Sequence, residues 1–448
     1  MREKLTTSHA AASAIGRTGL RPARKLLLRR ARIIDGNDEY HGQFDLMVID
    51  GKIAEIRPEI SLPTEFDGEV LELTNKMIFP GFLDLHVHFR EPGREDEETL
   101  LSGAAAAMAG GFTGVCTMPN TQPVTDSREI VDFIRETMKD HLVTVYPVAA
   151  ITRGQRGEEL VEMAELVDAG VVAFSDDGKS VANSLVLRRA LEYARMFHVP
   201  IIEHCEDPAL AQDGVMHEGF VSTNLGLPGI PSIAEEVIVA RDIMLAEYTR
   251  SKIHIAHIST KGAVELVRRA KEKGIAVTAE ATPHHFSLTD AAIKTFDANF
   301  KMNPPLRSEE HVQAIIEGLR DGTIDAIATD HAPHSIEEKE TEFAVAPFGI
   351  IGLETAIGLI IDKLVKPGIL DWQQMAVKLS RNPHRVLGLP EPRIAVNQPA
   401  NLTMIDPDAN WVVDKTKLKS RSRNTPFHGW QLTGRVLGVV NNGYYFFQ

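Results

Sequence analysis

Two histidines separated by one residue, His86 and His88, stand at the end of a short apolar run that is typical of a β-strand. Side chains at positions i and i+2 of a strand point to the same face, so both imidazoles can serve one ion. Further imidazole and carboxylate groups end other apolar runs, namely Asp177, His204, His257 and Asp330. These ligand types suit zinc best, with manganese or cobalt as alternatives. The set exceeds what one tetrahedral ion needs, so it predicts two ions that share a carboxylate.

The elements that must position these groups repeat one pattern: a β-rich run, a polar or glycine-rich turn and an amphipathic helix, as in Glu158–Ala169. The predicted runs are Ile78–His88, Phe112–Met118, Val143–Ala149, Val171–Ser175, Pro200–His204, Ile253–His257, Ala276–Ala279 and Ile324–Thr329. Such a succession predicts an α/β TIM barrel, (β/α)8, with its active site at the C-terminal strand ends. The alternative is a doubly wound open sheet, but the number of units and the polar strand ends favour the closed barrel.

The two flanks of the barrel, which we place at residues 80–385, have a different character. Residues 27–79 and 386–448 contain short β-rich runs and turn sequences such as Asp35-Gly36, Asp50-Gly51 and Asn442-Gly443. We therefore predict that both ends of the chain pair into one small β-sandwich domain. Residues 1–26 are basic and rich in Ser, Thr and Ala, and we predict a disordered N-terminal extension. Its composition also resembles an organelle transit peptide.

The composition limits the function classes. The net charge is −14 over 448 residues, which argues against nucleic-acid binding because phosphate recognition needs a basic face. The chain contains 2 cysteines, too few for a disulfide framework, and this indicates a reducing compartment, the cytoplasm. No run reaches the roughly 18–20 apolar residues of a membrane span. The expected partner is a small-molecule substrate.

Several runs of sequence together carry a resemblance to a known family. They are PGFLDLHVHFREPG at 80–93, MPNT at 118–121, DDG at 176–178, EHCE at 203–206, AHIST at 256–260 and ATDHAPH at 328–334. In this order, and over a match from about residue 30 to the C-terminus, they resemble the dihydroorotases of the amidohydrolase superfamily. The resemblance implies reversible hydrolysis of (S)-dihydroorotate to N-carbamoyl-L-aspartate, in pyrimidine biosynthesis.

The resemblance also implies a role for each metal-site candidate. His86, His88 and Asp330 would bind the first ion, His204 and His257 the second, and Asp177 would bridge the two. Many amidohydrolases use a carbamylated lysine as the bridge, but residues 171–177 contain no lysine. This resembles the dihydroorotases that use an aspartate there. One or two zinc ions per chain are expected, the second weakly held. Asp330 would also act as the general base.

The resemblance also implicates residues outside the ligand set in substrate binding. Arg90 continues the face of His86 and His88 and can hold a carboxylate through two parallel hydrogen bonds. Asn120 and His334 would complete the carboxylate site, with His88 nearby. Asn303, Phe348 and Gly349 match family positions that contact the ring. Of the other histidines, His254 is expected to face the helix layer, His284 and His285 to be structural or to support a ligand, and His331 to be at most a supporting residue.

Two other interpretations remain open. Hydantoinases and allantoinases share the barrel and the metals, but their substrates lack the carboxylate that Arg90 would bind. An inactive scaffold for aspartate transcarbamoylase is the non-enzymatic alternative, and it would purify without stoichiometric metal. The resemblance further implies a homodimer and aspartate transcarbamoylase as a possible partner.

Overall fold

The structure, a computed structural model, describes residues 19–448, and residues 1–18 lie outside the described part of the chain. The first strands are β1 (Arg21–Pro22), β2 (Lys25–Ile33), β3 (Gln43–Ile49), β4 (Lys52–Arg57), β5 (Glu69–Glu72) and β6 (Met77–Pro80). The next are β7 (Phe82–Val87), β8 (Phe112–Thr117), β9 (Thr144–Ala149), β10 (Ala173–Phe174), β11 (Ile201–Glu203), β12 (Met216–His217), β13 (Gly229–Ile230), β14 (Ile253–Ile255), β15 (Val277–Ala281) and β16 (Ala326–Ile327). The last are β17 (Leu402–Val412), β18 (Gln431–Asn441) and β19 (Tyr444–Phe447).

The α-helices of the described residues alternate with the central strands. They are α1 (Leu100–Gly110), α2 (Arg128–Thr137), α3 (Met163–Asp168), α4 (Ser184–Arg195), α5 (Phe220–Leu225), α6 (Ile233–Thr249), α7 (Lys261–Glu272), α8 (Pro283–Ser287), α9 (Glu309–Asp321), α10 (Ile336–Lys339), α11 (Ala356–Ile360), α12 (Trp372–Ala376) and α13 (Asn382–Leu387). Short π-helical segments, Ile361–Val365 and Val377–Arg381, continue α11 and α12. Within residues 19–448, none of the helices has both the length and the apolar character required to span a membrane.

A parallel sheet forms the predicted TIM barrel. Its order is β16-β15-β14-β11-β10-β9-β8-β7. The two end strands meet through a parallel bridge between Val87 and His331, reinforced by the His88 N–H, which donates to the His331 carbonyl at 2.8 Å. Inside the barrel, buried side chains such as Leu85, Met118 and Ile202 fill the space below the strand ends. A larger apolar cluster lies between the strands and the helices. The polar strand ends are therefore held at the mouth of a packed barrel.

Both ends of the chain build the second sheet, as predicted. Its order is β1-β19-β18-β17-β6-β2-β3-β4, with β5 beside β2. The tight turns of this sheet use the predicted sequences: Asp50 and Gly51 have φ of 48° and 74°, and Asn442 and Gly443 have φ of 49° and 77°. Positive φ at both central residues is what a two-residue hairpin requires. Residues 19–26, which we assigned to the extension, carry β1 and the start of β2.

Two predicted elements have different bounds in the structure. The run Ile78–His88 is two strands, since β6 pairs with β17 in the second sheet while β7 opens the barrel. Gly81 separates them where a Cβ would lie 1.7 Å from Asn401 Oδ1. The predicted helix Glu158–Ala169 begins only at Met163, because Leu160 forms a β-bridge with Thr152. In both cases, a contact distant in sequence overrides the local pattern.

Candidate metal centre and substrate pocket

The structure brings the six metal-ligand candidates together at the mouth of the barrel. His86 lies in β7 and His88 directly follows it. Between Asp84 and Val87, β7 has one residue more than the facing part of β8, because Asp84 pairs with Val115 and Val87 pairs with Thr117. An extra residue of this kind is a β-bulge, which bends the strand and redirects its side chains. Asp177, His204, His257 and Asp330 follow β10, β11, β14 and β16, and all are buried.

One group of donor atoms forms a small triangle. The Nδ1 atom of His204 lies 3.1 Å from His257 Nε2, and Asp177 Oδ1 lies 3.5 Å from the first nitrogen and 3.2 Å from the second. A tetrahedral zinc ion with bonds of about 2.0–2.1 Å holds its ligand atoms about 3.3 Å apart. The triangle therefore has the dimensions of three ligands around one ion.

The second group shares Asp177. His86 Nε2 lies 3.4 Å from Asp177 Oδ1, and His88 Nε2 lies 3.4 Å from Asp177 Oδ2. Asp330 Oδ1 completes this group at 3.1 Å from His88 Nε2 and 3.7 Å from His86 Nε2. Asp177 is thus the one carboxylate common to both groups among the residues described here.

The donor set fits two metal ions by its chemistry as well as its spacing. The Nε2 atom of His86 is buried and makes no hydrogen bond within the described residues. A buried polar atom without a partner is unfavourable by about 1–3 kcal/mol, so it needs an occupant. Four imidazoles and two carboxylates at such distances supply the nitrogen and oxygen ligands that divalent transition metals prefer.

The acidity of the two aspartates reflects their surroundings. Burial alone would raise the pKa of Asp177, but the charge of His86 and the hydrogen bonds with His204 and His257 outweigh it and hold that pKa well below its ordinary value. The same opposition lowers the pKa of Asp330, where the hydrogen bond with His88 is the largest favourable contribution. Both carboxylates are ionised at neutral pH, as ligands or bases must be.

A buried carboxylate that sequence reasoning missed orients His86. Glu280, on β15, has Oε1 at 3.0 Å from His86 Nδ1 and Oε2 at 3.1 Å from His254 Nε2. Such a partner fixes which nitrogen of a ligand histidine faces the ion. The expectation that His254 faces the helix layer was wrong. Regular alternation is lost after β14, because His257 adopts a φ of 29°. No local signal marks Glu280, whose partner is 194 residues away.

Asp84 supports the site from below. Its Oδ1 accepts the backbone N–H of His86, a ligand candidate, at 3.1 Å. The same oxygen accepts the backbone N–H of Thr329, which directly precedes Asp330, at 3.0 Å. Burial raises the pKa of Asp84 to about 7. Asp330 itself has a φ of 48°, a left-handed conformation that is unfavourable for a residue with a side chain. The bonds made by Asp84 help to hold that conformation.

The neighbours of Asp177 are engaged elsewhere. Asp176 accepts the N–H groups of Ile151 and Thr152 at 2.8 and 3.0 Å, and the Thr152 hydroxyl as well, so it fixes the loop after β9. Lys179 is exposed, whereas the metal-ligand candidates are buried. Only Asp177 of this segment reaches the histidines.

The three side chains expected to bind a carboxylate lie side by side. Arg90 donates from Nε to the Pro333 carbonyl at 3.1 Å, and its NH2 lies 3.4 Å from His334 Nε2. Asn120 accepts from His88 Nδ1 at 2.8 Å through its amide oxygen, which leaves its amide N–H groups for another partner. They border a cavity of about 250 Å³ that Thr121 and Pro347 also line. The cavity is large enough for a small carboxylate group.

The residues expected at the substrate ring occupy the adjoining loops. Asn303 Oδ1 and His284 Nε2 are both buried and make no hydrogen bond within the described chain. Burial and the nearby His285 lower the pKa of His284 well below its ordinary value, so its ring is uncharged. The Phe348 carbonyl accepts from His334 Nε2 at 2.8 Å, and the Gly349 N–H donates to the Lys301 carbonyl at 2.9 Å. The backbone at Phe348 and Gly349 therefore anchors the loop beside His334.

Comparison with known proteins places this geometry in a family. The family described as "Dihydro-orotase-like" matches residues 75–263. A dihydroorotase of Pelotomaculum thermopropionicum is 50% identical over 419 residues, 94% of this chain and 97% of that protein. A dihydroorotase of Syntrophus aciditrophicus is 48% identical over 94% of this chain and 98% of its own length. This chain belongs to the dihydroorotase family.

The solved structures of similar shape support the fold of this dihydroorotase-family chain. L-hydantoinase (dihydropyrimidinase) from Arthrobacter aurescens superimposes with a TM-score of 0.81 at 22% identity, over 94% of this chain and 95% of the other. Dihydropyrimidinase from Brevibacillus agri gives 0.80 at 20% identity, over 94% of each chain. At this identity they bear on architecture alone, and they confirm the barrel with its second domain.

The predictions of family, fold and activity are confirmed. The relatives that cover nearly the whole chain are dihydroorotases, enzymes that hydrolyse a cyclic amide, and the chain shares their family. Dependence on metal agrees with the family and with the two donor groups. The ligand assignments, the identity of the metal and the substrate contacts remain predictions.

Proposed function

We propose that this chain opens and closes the ring of (S)-dihydroorotate at the cluster described above, with N-carbamoyl-L-aspartate as the open form and ring closure as the biosynthetic direction. The observation that carries the proposal is the position of Asp177, whose carboxylate oxygens lie within 3.5 Å of the four imidazoles. Such a shared carboxylate allows two cations to act on one carbonyl group.

Zinc is the proposed metal, with His86, His88 and Asp330 holding one ion, His204 and His257 the other, and Asp177 both. When bound, the ions would polarise the amide carbonyl and lower the pKa of water to about 7. The donor set supports zinc because it combines imidazole nitrogens with carboxylate oxygens at separations of 3.1 to 3.7 Å.

Asp330 is the proposed general base. Ring opening adds the oxygen of water to the amide carbon and breaks its bond to the ring nitrogen, so one proton must pass from the water to that nitrogen. Asp330 is ionised and therefore starts the cycle able to accept the proton. It then returns the proton to the departing nitrogen, and ring closure runs the same transfers in reverse.

The substrate carboxylate is proposed to bind to Arg90, Asn120 and His334. Asn120 links this site to the metal centre, because its amide oxygen holds His88 Nδ1. Asn303, Phe348 and Gly349 are proposed to border the ring. A homodimer, a cytoplasmic location and an association with aspartate transcarbamoylase are proposed only on the family resemblance.

The deciding experiment measures turnover and metal content on the same purified sample. We expect hydrolysis of dihydroorotate to exceed that of dihydrouracil and hydantoin, with one to two zinc ions per chain. Chelation should abolish turnover, and Zn²⁺, Co²⁺ or Mn²⁺ should restore it. A preference for hydantoin would favour the hydantoinase interpretation, and a metal-free sample with no turnover would favour the scaffold.

A further inference from the structure

A buried glutamate lies between two members of the proposed carboxylate site. Glu97 precedes α1 and is 2% exposed. Its Oε2 lies 3.3 Å from Arg90 Nε, and its Oε1 lies 3.2 Å from His334 Nδ1. Arg90 comes from the end of β7 and His334 from the loop after β16. One carboxylate thus joins side chains from the first and the last strand of the barrel.

The contact with Glu97 lies on the Nε side of the Arg90 guanidinium group, whose NH2 lies 3.4 Å from His334 Nε2. Glu97 and the Pro333 carbonyl both face the Nε atom of the guanidinium group, at 3.3 and 3.1 Å. A guanidinium group can bind a carboxylate through two parallel N–H bonds from its remaining nitrogens only if its plane is fixed. The Pro333 carbonyl accepts the Nε hydrogen and the Glu97 carboxylate lies beside it as an ion-pair partner, so the two together favour one orientation of the guanidinium plane.

Cations close to Glu97 offset its negative charge, so this carboxylate can lie beside an anion-binding site. Arg94 NH2 lies 3.1 Å from Glu97 Oε1 and 2.8 Å from Glu338 Oε1. Glu338, in α10, also reaches His334 Nδ1 at 3.2 Å. Arg94 also pairs with the exposed Asp96 at 3.0 Å, so Arg90, Arg94 and His334 together face three carboxylates, two of which are Glu97 and Glu338. Because these carboxylates already have cationic partners, the group does not call for a metal ion, although Glu97, His334 and Glu338 lie close enough to hold one.

We infer that Glu97 is a positioning residue that determines specificity for a carboxylate-bearing ring, which rests on the proposed function. It acts through its contacts with Arg90 and His334 at one wall of the 250 Å³ cavity, and it lies outside both metal-donor groups that contain Asp177. Its loss should weaken recognition of the carboxylate and leave the chemistry at Asp330 unchanged. The kcat/KM for dihydrouracil, the same ring without the carboxylate, should not change when Glu97 is replaced.

The test compares Glu97→Gln with the matched control Glu95→Gln. Glu95 is an exposed neighbour whose side chain accepts the Gly93 N–H at 2.8 Å. We expect Glu97→Gln to raise KM for dihydroorotate about tenfold, the loss expected for a charge-assisted contact. Its kcat, its zinc content and its kcat/KM for dihydrouracil should match wild type, as should every value for Glu95→Gln. Equal losses on both substrates, or the loss of a metal ion, would overturn the inference.

A double variant separates positioning from general damage. If Glu97 acts partly through Arg90, the effects of Glu97→Gln and Arg90→Met on KM for dihydroorotate combine less than multiplicatively. Independent effects would contradict the inference. If Glu97→Gln does not fold, Glu338→Gln removes the second carboxylate at His334, together with its ion pair to Arg94, and should raise KM for dihydroorotate alone, by less than Arg90→Met does. Equal changes on dihydrouracil would again refute positioning. Failure of wild type to open dihydroorotate would instead refute the proposed function.

Discussion

At the scale of single residues, Asp177 and Asp330 are both buried and ionised but have different contacts. Asp177 uses both oxygens, with Oδ1 near three imidazoles and Oδ2 near His88. The closest contacts of Asp330 to His86 and His88 are both made by Oδ1. The second oxygen of Asp330 therefore remains available to accept a proton. For this reason we assign Asp330 as the general base and Asp177 as the bridging ligand.

Replacing Asp330 by Asn should abolish proton transfer. An amide can still occupy the position but cannot accept a proton from water. We expect kcat to fall about 10²–10⁴-fold, the usual contribution of a general acid–base group. Single-turnover kinetics on dihydroorotate, together with substrate binding by calorimetry, measure the two effects separately. A variant that retains more than about a tenth of wild-type kcat would remove Asp330 from the base role.

Replacing Asp177 by Ala should lower the metal content by about one ion per chain. The second ion would keep only two protein ligands, His204 and His257. The first ion would keep three, His86, His88 and Asp330. Mass spectrometry of the metal in dialysed protein measures the loss. The matched control is Asp176→Asn, which changes only the loop contacts to Ile151 and Thr152 and should keep both ions. Unchanged metal content in Asp177→Ala would place the bridge elsewhere.

Replacing Arg90 by Met tests the substrate contact. Loss of a charge-assisted pair of hydrogen bonds costs about 1.5–3 kcal/mol, a factor of roughly ten to a few hundred in binding. The loss should appear with dihydroorotate and be much smaller with dihydrouracil. Because the comparison is made between two substrates of one variant, damage to the fold cancels. Equal losses with both would show that Arg90 is structural.

At the scale of elements, the site depends on interruptions of regular structure. The bulge in β7 redirects His86 and His88, and His257 and Asp330 leave their strands with φ of 29° and 48°. After Asp330, His331 forms parallel bridges with Val87 of β7 on one side and with Ile350 on the other, so the end of the segment 331–350 returns beside His331. Irregular backbone at the strand ends allows each side chain to take its own direction, while the regular strands below keep the barrel rigid.

Gly349 is a critical position of this segment. It adopts a φ of 130°, and a Cβ there would lie 2.7 Å from Ala332 Cβ and 3.2 Å from His334 Nε2. We expect Gly349→Ala to lower kcat/KM for dihydroorotate at least about tenfold by displacing His334. The control is Gly322→Ala, where φ is 85° but nothing lies within 4 Å of the added carbon. That variant should lose about 1 kcal/mol of stability and no activity. Equal activity losses in the two variants would contradict a local effect.

At the scale of the whole molecule, the barrel and the second sheet share a core. Phe79, Val436 and Val439 of the sheet belong to the same buried cluster as Phe112 and the helices around the barrel. Hydrogen bonds cross the junction too: the Thr403 hydroxyl donates to the Gly111 carbonyl at 2.8 Å, and the Asn441 amide donates to the Leu142 carbonyl at 2.9 Å. The two parts should therefore not unfold independently.

We expect a single unfolding transition in urea. On a Trp372→Phe background, which removes the third tryptophan, in α12, fluorescence reports on the region of β17 and β18 through Trp411 and Trp430. The ellipticity at 222 nm reports mainly on the helices of the barrel. Their midpoints should coincide, as a cooperative two-state transition requires. Asn441→Ala, which removes junction hydrogen bonds, should lower both midpoints together. Separate midpoints for fluorescence and ellipticity would show two independent folding units.

The amino-acid sequence by itself determined the barrel, its family and the set of metal-ligand candidates. Strand alternation, helical spacing and residue types are local properties, and polar residues at the ends of parallel strands must meet at one mouth. Only the tertiary structure decided which groups support them. Glu280 meets His86 across 194 residues, and Glu97 meets His334 across 237. The orientation of His254 depends on the loss of strand alternation after β14, and the split at Gly81 depends on the close approach of the Asn401 side chain. Such contacts arise from packing between distant segments, which local periodicity does not encode.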